Sequence, residues 1–126
     1  MEPTGESSRC RDLPASAFGN LVLAGAYFSF VNAALEELVF RGIPWDVVEK
    51  EWNGAVALGV TAVVFGLGHL QGYPPGQLGA VLAGLYGAAL GLLRCWCGAL
   101  GLAVTCHFSA DGTIFGLLVS SAELGP

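Results

Sequence analysis

Charge is scarce in this sequence, and positive charge is scarcer still. Asp, Glu, Lys and Arg make up 12% of the 126 residues, with 10 acidic and 5 basic residues and a formal net charge of -5. The basic residues form no cluster, so neither a nucleic acid nor an anionic lipid surface is an expected partner. So little charge also argues against an ordinary soluble domain.

Two kinds of framework are missing as well. The 4 cysteines have neither zinc-finger spacing nor the pattern of a disulfide-bonded secreted domain, and no repeat or linker marks a second domain. What the sequence does contain is apolar, with 54% hydrophobic residues and a mean hydropathy of +0.64. These values indicate an integral membrane protein, whose length suits about four crossings of roughly 20 residues each.

The apolar residues fall into four runs, at about residues 15–35, 54–70, 77–93 and 98–120. Residues 1–14 form a polar tail before them, and residues 121–126 form a short tail after them. The first run keeps its helical periodicity towards Trp52 but meets Pro44, which ends or kinks a helix. We therefore predict an all-α, multi-pass membrane bundle of about four transmembrane helices over residues 15–120.

The third run carries a small residue at every fourth position, namely Gly79, Ala83, Gly87 and Gly91. Residues at this spacing lie on one face of a helix. In membranes, such small residues allow two helices to approach closely. We therefore expect the third helix to pack against a neighbour through this face.

Two carboxylates and a guanidinium interrupt the first apolar segment, in the pattern Glu36-Glu37-x-x-x-Arg41. Ionisable groups inside a membrane span are costly and by default mark a functional site. In a helix, Glu37 and Arg41 are i,i+4 neighbours that can form an ion pair, while Glu36 lies about 100° round the helix from Glu37. Glu36 is then the carboxylate that stays free for chemistry. The pair taken alone would also suit a structural role at a helix end.

Two histidines lie where the later runs can bring them close to Glu36. Counting helix rise from the turn near Asn53 places Glu36 and His69 at similar depths on antiparallel helices. The same count leaves His107 about six residues, or roughly 9 Å, from His69, which helix tilt can partly absorb. Asp111 shares a helix face with His107 at i,i+4 spacing. A carboxylate and two imidazoles are thus expected to meet inside the bilayer.

Three motifs stand in order on successive apolar segments: Glu36-Glu37-x-x-x-Arg41, Phe65-x-x-x-His69 and His107-x-x-x-Asp111. Together they resemble the motifs of the CAAX prenyl endopeptidase and bacteriocin-processing family of intramembrane proteases, also called CPBP or Abi. The resemblance covers about residues 35–114. It implies an all-helical membrane fold that hydrolyses a peptide bond in a water-filled chamber. The implied substrate is a membrane-embedded or prenylated, CAAX-type protein.

The resemblance also implies roles for the residues of the first two motifs. Glu36 would be the general base that acts on the attacking water. His69 would help to position that water, and Arg41 would brace Glu37. Some members of the family cleave after a prenylated cysteine, others process or resist bacteriocins, and others are scaffolds.

The third motif would bind the oxyanion through His107 and Asp111. Asp111 departs from the usual form of this motif, which has an Asn whose amide can donate a hydrogen bond. An ionised Asp only accepts and would repel the developing negative charge. Asp111 would therefore have to be protonated, or would act by orienting His107. Because family members generally carry further helices, we also expect this chain to be a truncated or minimal family core.

Zinc is a chemical alternative for the same residues. Glu36, His69 and His107 form a plausible ligand set, since catalytic zinc takes three N or O ligands and a water. However, the segment that follows His69 lacks HExxH-type spacing on one helix. The family mechanism uses a glutamate, so we favour a peptidase without a metal or another cofactor and keep zinc as the alternative.

A non-enzymatic membrane scaffold or bacteriocin-immunity-type protein of the same fold is the second functional class. Asp111 and the short chain motivate it, because both weaken the case for catalysis. Read singly, His69 also suits a membrane interface, and His107 with Asp111 could simply connect two helices. The variant Glu36→Gln separates the two classes, since a biological effect that survives this change is not catalytic.

Overall fold

A computed structural model describes residues 14–124 and the side chains of these residues except 15 and 122–124. Its elements are helix α1 (Ala15–Glu37), a π-helical turn (Leu38–Gly42), α2 (Ile43–Glu51), α3 (Gly54–Gly68), α4 (Gln77–Cys97) and α5 (Gly101–Leu124). The predicted polar tail lies outside the described residues except for Pro14. At the other end α5 continues to Leu124, beyond the predicted limit of residue 120.

The helices have the length and composition of membrane spans. Three segments are long and apolar enough to cross a bilayer, at Ser16–Glu51, Gln77–Cys97 and Gly101–Ser121, and α3 is a shorter apolar helix of 15 residues. Large apolar side chains cover much of the outer surface, as expected where a protein faces lipid. The chain is a multi-pass integral membrane protein, and the predicted all-α bundle of about four helices is confirmed.

A π-helical turn interrupts the first long helix immediately before Pro44. Proline has no N–H, and its ring conflicts with the carbonyl four residues earlier, so a regular α-helix cannot continue through it. The wider π-helical turn lets the chain pass this point without ending the helix. Arg94 of α4 supports the turn from outside, because its Nε donates to the Arg41 carbonyl at 3.3 Å. The interruption predicted near Pro44 thus takes a form that the sequence did not reveal.

The connections between helices are short and have clear chemical causes. Asn53 begins α3, because its side chain accepts a hydrogen bond from the Val56 N–H at 2.9 Å. Gly98 ends α4 in the left-handed conformation, with φ of 64°, and its N–H donates to the Arg94 carbonyl at 3.0 Å. These ends make neighbouring helices antiparallel. The site described below forms where α1, α3, α4 and α5 meet.

Helices α3 and α4 pack so closely that their backbones touch. A Cβ atom added at Gly66 of α3 would lie 2.6 Å from the Ala80 carbonyl oxygen and 3.1 Å from the Gly84 Cα. On the α4 side, Gly79, Gly87 and Gly91 are buried. Three of the four residues of the predicted small-residue face are therefore covered.

We expect Gly66→Ala to lower the free energy of unfolding by about 1–3 kcal/mol, because the new methyl group meets backbone atoms that cannot move aside. Gly59→Ala is the matched control on the same helix, since nothing lies within 4 Å of its added Cβ. Thermal unfolding in detergent compares the two variants. Equal unfolding midpoints would contradict the close approach of α3 and α4.

Candidate active site

A buried ion pair joins Glu37 and Arg41. Both side chains have 0% exposure, and Arg41 Nη1 donates to Glu37 Oε1 at 2.8 Å. Arg41 Nη2 also donates to the Gly87 carbonyl at 2.9 Å, and the guanidinium carbon lies 4.3 Å from the centre of the Phe65 ring. A buried charge is costly unless it is paired and hydrogen-bonded. These contacts pair the two charges and bond Glu37 Oε1 and both Nη atoms of Arg41, while Arg41 Nε has no hydrogen-bond partner among the described residues.

Gly87 makes this arrangement possible. A Cβ atom at this position would lie 2.7 Å from Arg41 Nη2 and 3.0 Å from Phe65 Cδ1. Any side chain would therefore push the guanidinium away from the carbonyl that accepts its hydrogen bond. The small-residue face of α4 thus serves the charged pair as well as helix packing.

His107 reaches the same pair from α5. The side chain is 4% exposed, and its Nδ1 lies 2.8 Å from Glu37 Oε1. An ionised carboxylate accepts hydrogen bonds and donates none, so Nδ1 carries a proton and donates to Glu37. The other ring nitrogen, Nε2, is left to face Glu36 and Asp111.

His69 is fixed in a similar way at the end of α3. Its Nδ1 lies 2.8 Å from the Phe65 carbonyl oxygen, one turn earlier in the same helix. A carbonyl oxygen only accepts, so this Nδ1 is also the protonated nitrogen. Nε2 of His69 points towards Glu36, at 3.8 Å from its Oε2.

Glu36 differs from Glu37, whose Oε1 is hydrogen-bonded to both Arg41 and His107 and whose Oε2 has no hydrogen-bond partner among the described residues. The Glu36 side chain is 25% exposed, yet its Oε2 is buried and has no hydrogen-bond partner among the described residues. This oxygen lies 3.5 Å from His107 Nε2 as well as 3.8 Å from His69 Nε2. The carboxylate that sequence reasoning left free is the one that faces both imidazoles.

Asp111 completes the group one turn after His107. Its Oδ1 lies 3.6 Å from His107 Nε2, and its Oδ2 accepts a hydrogen bond from Asn32 Nδ2 at 3.0 Å. Asp111 therefore lies between an amide of α1 and an imidazole of its own helix. Its side chain is 19% exposed.

Four acceptor atoms thus form one chain of contacts, in the order His69 Nε2, Glu36 Oε2, His107 Nε2 and Asp111 Oδ1, and these four residues are called the polar cluster. Their separations are too long for good direct hydrogen bonds. It is energetically unfavourable to bury acceptor atoms that face each other with no hydrogen atom between them. The arrangement suits further protons on the imidazoles, or a water molecule that donates hydrogens once Glu36 turns far enough to admit it.

A cavity of about 280 Å³ lies beside His69, His107 and Asp111, between α3, α4 and α5, and Glu36 is not among the residues that line it. Its polar lining comes from His69, Tyr73, Tyr86, His107 and Asp111, and the rest is mostly apolar. A second cavity of about 310 Å³, between α1 and α5, is lined almost entirely by apolar residues and by none of the predicted site residues. Of these two cavities, the first is the one lined by residues of the polar cluster, and we take it as the substrate cavity.

Comparison with known families agrees with the motifs. Residues 18–113 match the family described as Type II CAAX prenyl endopeptidase Rce1-like, and this range includes every residue of the polar cluster. The chain belongs to the Rce1-like family. The predicted resemblance to CAAX-type intramembrane proteases is confirmed at the level of the family. Neither curated proteins nor solved structures give a significant match to this Rce1-like chain.

All of the residues predicted for the site of this Rce1-like chain lie in one connected group: Glu36, Glu37, Arg41, His69, His107 and Asp111. Sequence reasoning missed Asn32, which binds Asp111, and Tyr86, whose ring packs edge-on against His107 at 6.0 Å. It also gave Gly87 only a packing role. Asn32 carried one signal, since it is an amide within an apolar run and lies one turn before Glu36.

The zinc alternative can be compared with this geometry. Within residues 14–124, no group of three or more His, Cys, Asp or Glu side chains has the arrangement of a metal site. The hydrogen bonds at Nδ1 of His69 and His107 do not argue against zinc, because a histidine that binds a metal through Nε2 usually donates its other N–H to a carboxylate or a carbonyl. A chelator experiment, described below, tests zinc directly.

Proposed function

We propose that this chain hydrolyses a peptide bond in a prenylated, CAAX-type protein within the membrane, with Glu36 as the general base. The observation that carries the proposal is the buried Glu36 Oε2, which has no hydrogen-bond partner among the described residues and faces Nε2 of two histidines. A general base must lie within hydrogen-bond reach of the proton that it removes, directly or through one water. A water meets this condition once the Glu36 side chain, which is 25% exposed, turns away from His69 far enough to admit it, because the present separation of 3.8 Å leaves no room for one.

In the first step, the water donates one hydrogen to Glu36 Oε2 and the other to His69 Nε2. Glu36 removes its proton as the water oxygen attacks the scissile carbonyl carbon. A C–O bond forms, and the electron pair of the carbonyl double bond moves onto the carbonyl oxygen. His69 orients the water without taking part in the proton transfer.

In the second step, His107 stabilises this oxyanion. When both of its ring nitrogens are protonated, Nδ1–H is held by Glu37, and Nε2–H can donate to the negative oxygen. An ionised Asp111 has only acceptor oxygens and so cannot bind the oxyanion itself. Its Oδ1 lies 3.6 Å from His107 Nε2, too far for a good hydrogen bond, so it suits the other predicted role by electrostatic attraction that orients the protonated His107 ring.

In the third step, the tetrahedral intermediate collapses and the C–N bond breaks. The proton held by Glu36 passes to the leaving nitrogen, which departs as an amine, and Glu36 returns to its carboxylate form. Glu37 and Arg41 touch no reacting atom in this scheme. They hold His107 in place through the hydrogen bond at Nδ1.

The family match supports a prenylated substrate. The cavity supports it as well, because it joins a mostly apolar wall to the polar cluster. A lipid-modified chain end can remain in the bilayer while its peptide bond reaches Glu36. The prenyl group would then contribute to substrate binding more than to the chemical step.

The proposal is tested with a fluorogenic farnesylated CAAX-type peptide, the same peptide without the farnesyl group, and the detergent-purified chain. We expect cleavage of the farnesylated peptide, slower cleavage of the unmodified one and no effect of a strong chelator. Activity that is lost with the chelator and restored by zinc would establish the zinc alternative instead. Failure to cleave either peptide would contradict the proposal and favour the scaffold class.

A further inference from the structure

Asn32 and Asp111 form a second connection between α1 and α5, one helical turn from the contact between Glu36 and His107. Asn32 Nδ2 donates to Asp111 Oδ2 at 3.0 Å across 79 positions of sequence. Glu36 lies four residues after Asn32, and His107 lies four residues before Asp111. The two contacts therefore lie one helical turn apart along the antiparallel helices α1 and α5.

The Asp111 carboxylate links the Asn32–Asp111 contact to the contact between Glu36 and His107. Because Oδ2 is held by the Asn32 amide, Oδ1 is left facing His107 Nε2 at 3.6 Å. The same hydrogen bond opposes sliding of α1 along α5, and such sliding would change the distance of 3.5 Å between Glu36 Oε2 and His107 Nε2. Position 32 requires a donor, because two carboxylates at this distance would repel each other.

We propose that Asn32 is a positioning residue for peptide hydrolysis, which it serves by holding Asp111 and thereby His107. This inference rests on the proposed function, since it assigns Asn32 to the same reaction. Asn32 touches no reacting atom. Its effect on catalysis depends on the identity of residue 111, and this dependence distinguishes it from a residue that only stabilises the fold.

The test uses cleavage of the farnesylated peptide by Asn32→Asp, Asp111→Asn and the double variant that exchanges the two residues. Asn32→Asp places two carboxylates together and is expected to lower kcat by about 100-fold, the size of effect that misplacement of catalytic groups by about 1 Å produces. KM should stay within about threefold of the wild-type value, because substrate binding is not changed. The exchange restores a donor–acceptor pair with reversed direction, so it should recover most of the kcat that Asn32→Asp removes.

Ser29→Ala is the matched control on the same helix. Ser29 has 0% exposure, lines the same cavity of about 160 Å³ as Asn32 and Asp111, and has a hydroxyl without a hydrogen-bond partner among the described residues. Its removal should leave kcat and KM unchanged. Asn32→Ala is a second variant, without charge repulsion, for use if Asn32→Asp fails to fold. Its kcat should be about tenfold below the wild-type value.

The outcomes separate this inference from the function on which it rests. Wild-type chain that does not cleave the peptide overturns both. If the wild-type chain cleaves the peptide and Asn32→Asp lowers kcat by the same factor with and without Asp111→Asn, only the positioning role is overturned. The effects of two residues that act as a pair on kcat are not additive, so equal factors would show that Asn32 and Asp111 act independently. Wild-type kcat in Asn32→Ala overturns the positioning role as well.

Discussion

Glu36→Gln is expected to abolish cleavage of the farnesylated peptide, with kcat lower by about 10²–10⁴-fold, the usual contribution of a general base. The amide has nearly the shape of the carboxylate but cannot take a proton from water. The fold should survive, because Glu36 Oε2 makes no hydrogen bond to the described part of the chain. The measurement is turnover under saturating peptide, together with thermal unfolding of the same preparation.

Glu51→Gln is the control for this experiment. It makes the same chemical change at an exposed glutamate at the end of α2, outside the polar cluster. Glu51→Gln should match the wild-type kcat and unfolding midpoint. If Glu36→Gln kept more than about a tenth of the wild-type kcat, Glu36 would not be the general base.

Arg41→Met is expected to have the largest effect on stability, a loss of about 3–5 kcal/mol in the free energy of unfolding. The change leaves the Glu37 carboxylate buried with 0% exposure and without its cation. It also removes the hydrogen bond to the Gly87 carbonyl and the contact with the Phe65 ring. Denaturant-induced unfolding in detergent micelles measures the loss.

The double variant Glu37→Leu/Arg41→Met separates charge burial from catalysis. Removing both charges should return much of the lost stability, since apolar residues often replace a buried ion pair at little cost. Activity should stay low, because His107 Nδ1 loses its acceptor. If the double variant were no more stable than Arg41→Met, the uncompensated charge of Glu37 would not be the cause of the lost stability.

Arg94→Met is the matched control for Arg41→Met. Arg94 forms an ion pair with Asp46 at 2.9 Å, but the Asp46 side chain is 63% exposed. Such a surface pair contributes less than about 1 kcal/mol. Arg94→Met also removes the hydrogen bond to the Arg41 carbonyl, worth about 0.5–1.5 kcal/mol, so its total cost should stay below about 2 kcal/mol. A loss for Arg94→Met as large as for Arg41→Met would contradict the distinction between the buried pair and the exposed pair.

Local sequence patterns were sufficient for the helices and for the Glu37–Arg41 contact. Apolar runs of membrane-spanning length are visible in one dimension, and residues four apart meet in any helix. The relative depth of the two histidines in the membrane was harder to predict. The count of helix rise put His107 roughly 9 Å from His69 along the helix axes. In the structure both imidazoles lie within 4 Å of Glu36 Oε2, at 3.5 and 3.8 Å. The count measured only the rise along the helices and did not include the reach of the side chains.

Contacts between distant segments could not be predicted in this way. The Asn32–Asp111 hydrogen bond joins residues 79 positions apart, and only the packing of α1 against α5 brings them together. The same holds for the Gly87 carbonyl, which reaches Arg41 because α4 lies against the π-helical turn. The protonated nitrogens of His69 and His107 follow from their acceptors, which become known only with the fold.

The central claim is that Glu36 acts on water and does not attack the peptide itself. A single turnover in H₂¹⁸O, with enzyme in excess over the farnesylated peptide, tests it by mass spectrometry of the product and of the proteolysed enzyme. A general base predicts one ¹⁸O atom in the new product carboxylate and none in the Glu36 side chain. An unlabelled product carboxylate, with ¹⁸O in Glu36 instead, would show a covalent intermediate and contradict the mechanism.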